Sequence, residues 1–392
     1  MKEVQLTIAS TYVSDWGIWE AFRELAQNAM DHADVTATPI SIGFSKRSKN
    51  LILTSQNTKL DINSLVLGAT AKSSDSDQRG QFGEGYKLAL VVLLRLGIKV
   101  QIVNADEVWT PSFKYSEVFQ TELLTIRITP IKTHNRNVTF VLKGVSKEQA
   151  NLLTSRIIRK RSATVGYRTE YGRILTEERF KGLVFVGGIY VCKPNLEGLE
   201  HGYDFDPQHV TLGRDRGLMD SFNVQWLASK MWATIFTPDT KVIEETAKLI
   251  QSDSPSTKHF GVSGSNKLVS AKVSEDFYEE FSSNAVPVTT EGERNRVLND
   301  FDNAVPIIVS ETLKRTVKNT DLAKKNSLQL KARLHLTPNE VITAILGKYR
   351  KELGMNFNIL TQELIPVSLH WVTNKSSVVL KDDNPNGAPS NV

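Results

Sequence analysis

Apolar and polar positions alternate over Val4–Ser10, which reads as a short strand. The next stretch changes period. From Trp16 to about His32, Ile18, Phe22, Leu25 and Ala29 recur at helical spacing, and Ser14 or Asp15 stands where a cap is expected. Pro39–Phe44 and Asn50–Thr54 read as strands joined by a polar turn at Ser45–Lys49. A helix-prone stretch, Asn63–Leu67, leads through a polar, serine-rich segment, Ala71–Arg79, into the glycine-rich run Gly80–Gly85. Tyr86–Leu96 is apolar on nearly every side and stops at Gly97, as a buried helix with a glycine end does. Strand-like runs follow at Ile98–Val103, Val108–Tyr115, Glu122–Ile128 and Asn137–Lys143. Strands after helices without strict alternation predict an α+β sandwich, a mostly antiparallel sheet covered by helices.

Beyond Ser146 the pattern changes again. A helix (Lys147–Ile158) and a polar stretch precede a strand (Gly182–Val191), the segment Tyr203–Arg216 and a helix of about Ser221–Phe236. Ser252–Asn266 is rich in Ser, Gly and Pro and reads as a linker or exposed loop. After it, two NAVP strands (Asn284–Val288 and Asn303–Val309), each followed by a helix, predict a small α/β unit. The expected layout is residues 1–145 as a first domain, 146–251 as a middle domain and 252–268 as a linker. A small α/β C-terminal domain (269–373) and a flexible tail (374–392) complete it.

The 392 residues, 40% hydrophobic and 23% charged, match a soluble globular chain. No apolar run reaches the roughly 18 residues of a membrane span, and no secretory signal opens the chain. A lone cysteine, Cys192, suits a reducing cytoplasmic setting and reads as a small buried hydrophobe. The net charge of +5 permits contact with nucleic acid without requiring it. Its densest runs, Arg156–Arg161 and Lys324–Lys325, read first as solvated helix faces. Seven scattered histidines, with no CxxC or HxxxH, argue against a protein-only metal cage.

Three segments carry candidate chemistry. In Phe22–Asp31, Glu24 and Asn28 stand one turn apart with Asp31 a turn further, all on one stripe beside the apolar face. An amide oxygen is a hard ligand suited to Mg²⁺, and a carboxylate can polarise a water aimed at a phosphate. The second segment, Gly80-Gln81-Phe82-Gly83-Glu84-Gly85, opens a helix whose free N–H groups attract phosphate, with Lys87 in its first turn. It is neither a Rossmann fingerprint nor a Walker loop, since no βαβ unit surrounds it and GxxxxGK[ST] is absent. The third is Gly68-Ala69-Thr70-Ala71-Lys72-Ser73-Ser74.

Taken in order, ELAQNAMDHAD (24–34), a strand, GATAKSS (68–74), a polar loop and GQFGEGYK (80–87) resemble the GHKL ATPases. That superfamily holds gyrase B, the heat-shock chaperone ATPase, histidine kinases and MutL. The resemblance covers roughly residues 1–145 and implies a Bergerat-type α/β sandwich that binds ATP with Mg²⁺. By it, Glu24 is the general base, Asn28 the Mg²⁺ ligand and Asp31 a site-lining residue. Residues 71–79 are the ATP lid, and Gly80, Gly83 and Gly85, with Gln81, Phe82 and Glu84 between them, form the phosphate loop. Lys72 and Lys87 are auxiliary phosphate contacts. Several relatives send a basic residue from a second domain to the γ-phosphate, and Arg214 or Arg216, after the strand of the middle domain, is the candidate for it here, with an Arg–Asp surface network as the alternative reading.

One departure stands out. The family's DxGxG, whose Asp binds the adenine amino group, corresponds here to Thr54–Leu60, without Asp or Gly. Ser55 or Asn57 would take over base recognition, or Asp61 would be displaced toward it. The leading expectation is a slow, Mg²⁺-dependent ATPase acting as a conformational switch, with nucleotide-dependent dimerisation implied by the resemblance. The alternative is a degenerate, nucleotide-sensing module that works by binding a protein client or nucleic acid.

Overall fold

A computed structural model describes residues 1–66, 85–133, 135–158, 166–210, 220–235, 239–336, 367–371 and 378–382. The chain divides into two compact units, Met1–Met231 and Trp232–Val392. The boundary expected at 145/146 therefore falls inside the first unit.

The first unit opens with β1 (Lys2–Ala9), α1 (Ile18–Thr36), β2 (Ile40–Ser45) and β3 (Asn50–Ser55). After residues outside the described set come α2 (Gly85–Arg95), β4 (Lys99–Asn104), β5 (Glu107–Ser116), β6 (Thr121–Pro130) and β7 (Val138–Lys143). These seven strands form one sheet in the order β1-β6-β5-β4-β7-β3-β2, every neighbouring pair antiparallel. The chain is thus α+β, with a large antiparallel sheet covered by helices, as its sequence predicts. Alternation assigns the two faces. Leu51, Leu53, Val100, Ile102, Trp109, Ile126, Phe140 and Leu142 are buried under α1 and α2, while Gln5, Thr7, Thr110, Arg127 and Thr129 are exposed on the other face. Tyr86 through Leu93 of α2 are all buried, so this helix is inside on every side.

The lead-in to α1 is held from the end of α2. Arg95 donates to the carbonyls of Ser10, Tyr12, Val13 and Trp16 at 2.9–3.3 Å. The cap differs from the expected Ser14 or Asp15. Gly17 takes that place, its N–H donating to Glu20 Oε2 at 2.9 Å. Of Asn63–Leu67, expected to be helical, the described residues include the end of a 3₁₀ turn at Ile62–Leu65, and Leu67 lies outside the described residues.

α3 (Lys147–Ser155) leads into a five-stranded sheet made from β8 (Gly166–Thr169), β9 (Gly172–Leu175), β10 (Val184–Val186), β11 (Ile189–Cys192) and β12 (Gly202–Phe205). Its order is β11-β10-β12-β9-β8, with β10 and β12 parallel. The single strand expected over Gly182–Val191 is a tight hairpin, because Gly187 and Gly188 both adopt positive φ, 57° and 82°. This hairpin touches α1. A Cβ on Gly188 would meet Met30 Cε at 3.1 Å, and the Arg156 guanidinium lies over the rings of Trp19 and Tyr190, 5.0 and 4.8 Å from their centroids. One basic residue of the Arg156–Arg161 run is therefore committed to internal packing. Asp204 accepts from Gly188 N at 2.6 Å and pairs with Arg173 at 2.7 Å. Burial pushes its carboxyl up and the Arg173 guanidinium opposes that.

α4 (Ser221–Ala233) spans the boundary, its last two residues belonging to the second unit. The second contains α5 (Thr240–Gln251), α6 (Lys267–Phe281), β13 (Ala285–Val288), α7 (Glu291–Asp300), β14 (Val305–Ile308), α8 (Glu311–Lys318) and α9 (Asp321–Ser327). The NAVP strands β13 and β14 pair in parallel through α7, a small βαβ unit. The stretch expected to be a linker or exposed loop instead buries Ser256, Thr257 and Phe260, the last in the core with Val273, Phe277 and Val317. A three-stranded antiparallel sheet, β15 (Leu334–Leu336), β16 (Val367–Trp371) and β17 (Val378–Asp382), completes the described chain. Among the described residues no helix is long and apolar enough to cross a membrane.

Candidate nucleotide site

α1 anchors the site because its apolar side is fully used. Phe22, Leu25, Ala26 and Ala29 are at most 5% exposed, which fixes the rotation of the helix over the sheet. The polar side is also mostly covered. Glu24 is 8% exposed and its Oε1 lies 3.4 Å from Arg23 Nη2. Asn28 is half-buried, and its Nδ2 donates to the Glu24 carbonyl at 2.8 Å. With the nitrogen committed to the helix backbone, the amide carries Oδ1 on its opposite side. Asp31 is 2% exposed.

The first residue of α2 meets this stripe. A Cβ on Gly85 would overlap Glu24 Oε2, so the end of the glycine-rich run reaches the candidate base. Two of the three motif segments are thereby adjacent, although they are separated by some sixty residues of chain. Gly80, Gln81, Phe82, Gly83, Glu84 and Lys72 lie outside the described residues, as do the expected lid at 71–79 and both Arg214 and Arg216.

Lys87 is fully buried. Its Nζ donates to the carbonyls of Ser64 and Val66 at 3.0 and 2.8 Å, while the neighbouring Tyr86 hydroxyl and Ser64 Oγ are hydrogen-bonded at 2.8 Å. Burial pushes the Tyr86 phenol up to about 12, against the pull of Ser64. The first turn of α2 therefore ties down the segment that follows β3.

At the end of β3, Ser55 is buried on the same sheet face as Leu51 and Leu53, the face that α1 covers. Gln56 accepts through its carbonyl from His32 Nε2 at 3.2 Å, joining the last turn of α1 to the strand end. Asn57 is an exposed turn residue with φ 50°, a conformation that Asn tolerates well, and its N–H donates to Asn137 Oδ1. Asp61 is exposed and accepts from Asn63 N, capping the 3₁₀ turn. The chain then crosses the strand ends, clipped by the buried Asn104. Asn104 accepts from Leu60 N at 2.8 Å and donates to Leu60 O at 3.0 Å.

The donor set suits Mg²⁺ as a partner of phosphate rather than a caged ion. The hard oxygens of Glu24, Asn28 and Asp31 are those of an amide and two carboxylates, and among the described residues no three His, Cys, Asp or Glu converge on a point. Mg²⁺ commonly takes one or two protein oxygens and completes its shell with phosphate and water.

Gln27 was invisible to motif reading, because it occupies a position the motif leaves open. Arg23, Gln27 and Asp31 follow at i, i+4 and i+8, a spacing that reads as a solvated stripe. The structure buries all three, to 4, 1 and 2% exposure.

No family model matches the chain. A protein of Mycoplasma pneumoniae described as uncharacterized is 29% identical over 139 residues, 34% of this chain and 55% of that protein. The chain thus spans about half the length of the curated relative it matches. Among solved structures, the ATPase region of Saccharomyces cerevisiae topoisomerase II bound to ICRF-187 (dexrazoxane) is similar over 44% of this chain and 62% of its own. The TM-score is 0.30 and the identity 11%.

Proposed function

We propose that the first unit binds ATP with Mg²⁺ and hydrolyses it slowly, as a GHKL-type nucleotide switch. The observation that carries this reading is the contact of Gly85 with Glu24, which joins the glycine-rich run to the helix bearing the candidate base and metal ligand. The motif order in the sequence and the helix-covered antiparallel sheet support it further. Asn28 would hold the Mg²⁺ through Oδ1, and the ion would neutralise charge on the phosphates. Glu24 would accept the proton of the attacking water. The water oxygen bonds to the γ-phosphorus, the bond to the bridging oxygen breaks with its electron pair going to ADP, and the proton passes to solvent. Ser55, buried at the strand end, is better placed than exposed Asn57 or cap-forming Asp61 to meet the base.

ATP turnover with Mg²⁺ for wild type and Glu24→Ala tests this, with binding of ATP, GTP and ADP measured beside it. Loss of turnover in the variant, with binding kept, is the expected result. Equal turnover in both proteins removes the base assignment, and absence of nucleotide binding removes the site. Binding without turnover favours the second reading, a nucleotide-gated module, for which the missing DxGxG at 54–60 is the motivating observation. Sedimentation with and without ATP tests the expected nucleotide-dependent homodimer.

A further inference from the structure

We propose that Gln27 is a positioning residue that holds the hydrolytic water against Glu24, an inference that rests on the ATPase reading above. Gln27 is 1% exposed, and among the described residues neither its Nε2 nor its Oε1 has a hydrogen-bond partner. Buried side-chain amides are almost always bonded, and a leucine here would avoid the desolvation that the amide suffers. Folding alone therefore gives no reason for a carboxamide at this position. The position itself supplies one. Three residues beyond Glu24 and four before Asp31, Gln27 is rotated about 60° around the helix from the Glu24 stripe, within the reach of i,i+3 neighbours. An ordered water needs two to four polar partners, and a buried amide beside a carboxylate offers both an acceptor and a donor. Oε1 accepts one water hydrogen while the Glu24 carboxylate accepts the other, which leaves an oxygen lone pair to form the bond to phosphorus. The proton that Glu24 takes is the one described above, so the reaction balances without a further reactant.

Gln27→Leu separates this role from a structural one, because the two predict opposite signs. Removing a buried, unpartnered amide should raise the melting temperature by about 2–4 °C, given a first unit of 231 residues. ATP affinity should stay within about 2-fold, while kcat falls by about 100-fold, the size of effect that misplacing a reacting group produces. Gln27→Glu, which keeps an acceptor, should retain more turnover than Gln27→Leu. Gln27→Met serves if the leucine variant does not fold. Wild-type kcat in an apolar variant, with wild-type turnover abolished by Glu24→Ala, overturns the Gln27 role and leaves the ATPase reading intact. A wild-type protein that turns over no ATP overturns both.

Discussion

Gly85 and Glu24 occupy the same small space. A Cβ on the glycine would overlap Oε2 of the carboxylate and lie 3.2 and 3.4 Å from its Cδ and Cβ. The motif resemblance expects this glycine to approach phosphate closely, and the structure adds that its missing Cβ makes room for the Glu24 carboxylate. Alanine in its place favours the helix by up to about 1 kcal/mol, and the overlapping atom is the movable end of a side chain. We therefore expect Gly85→Ala to keep the fold and stability while turning Glu24 away. ATP turnover should drop by about 100-fold with much less change in nucleotide binding. Turnover at the wild-type rate would mean that this Glu24 rotamer is not the working one.

Lys87 was expected to touch phosphate, yet it is buried with Nζ on two main-chain carbonyls. A lysine so placed supports the 3₁₀ turn at Ile62–Leu65 and the residue after it. Lys87→Met leaves those carbonyls without this donor and should lower the unfolding free energy by about 1–3 kcal/mol in the absence of nucleotide. Urea denaturation reads this directly. If stability is unchanged and only ATP affinity falls, the phosphate role is the correct one.

The strap after β3 gives a third test. Asn104, fully buried, satisfies both the N–H and the carbonyl of Leu60, whereas Asn57 merely adopts a left-handed turn at the surface. Asn104→Leu orphans two backbone groups and should cost about 2–4 kcal/mol. Asn57→Gly keeps the turn conformation at less steric expense and should stay within about 1 kcal/mol of wild type. Equal losses in the two variants would show that Asn104 is not what holds the strap.

Periodicity made the helix-covered sheet legible, since the buried helix at Tyr86–Leu93 and the alternating strands need no information beyond their own residues. It failed where burial comes from distant chain. Nothing local to Arg23, Gln27 and Asp31 announces that a polar stripe will be covered, and nothing local to Phe260 announces that a Ser-rich stretch will pack into a core. The hairpin at Gly187–Gly188 was hidden for a related reason. A glycine pair between apolar runs permits either a continuous strand or a turn, and the long-range parallel pairing of β10 with β12 accompanies the turn. For the candidate site, residue types and order were readable, whereas contacts such as Gly85 with Glu24 were not.

In the second unit, Glu293 and Lys314 tie α7 to α8 with contacts of 2.6 and 2.8 Å, and Thr289 adds a backbone N–H to the same carboxylate. The Lys314 ammonium, followed by that N–H, lowers the Glu293 carboxyl from 4.5 to about 2. A carboxyl with a depressed folded value contributes stability above its unfolded value and loses it as pH falls through the folded one. The pair should therefore support the second unit fully above pH 4.5 and progressively less down to about pH 2. Lys314→Met removes the main cause of the shift, and methionine suits a side chain that is only 13% exposed. Urea midpoints followed by far-UV circular dichroism should place the variant below wild type at pH 5 to 6, with the gap narrowing toward pH 2. A gap independent of pH would mean that Lys314 acts through packing of its aliphatic stem rather than through Glu293.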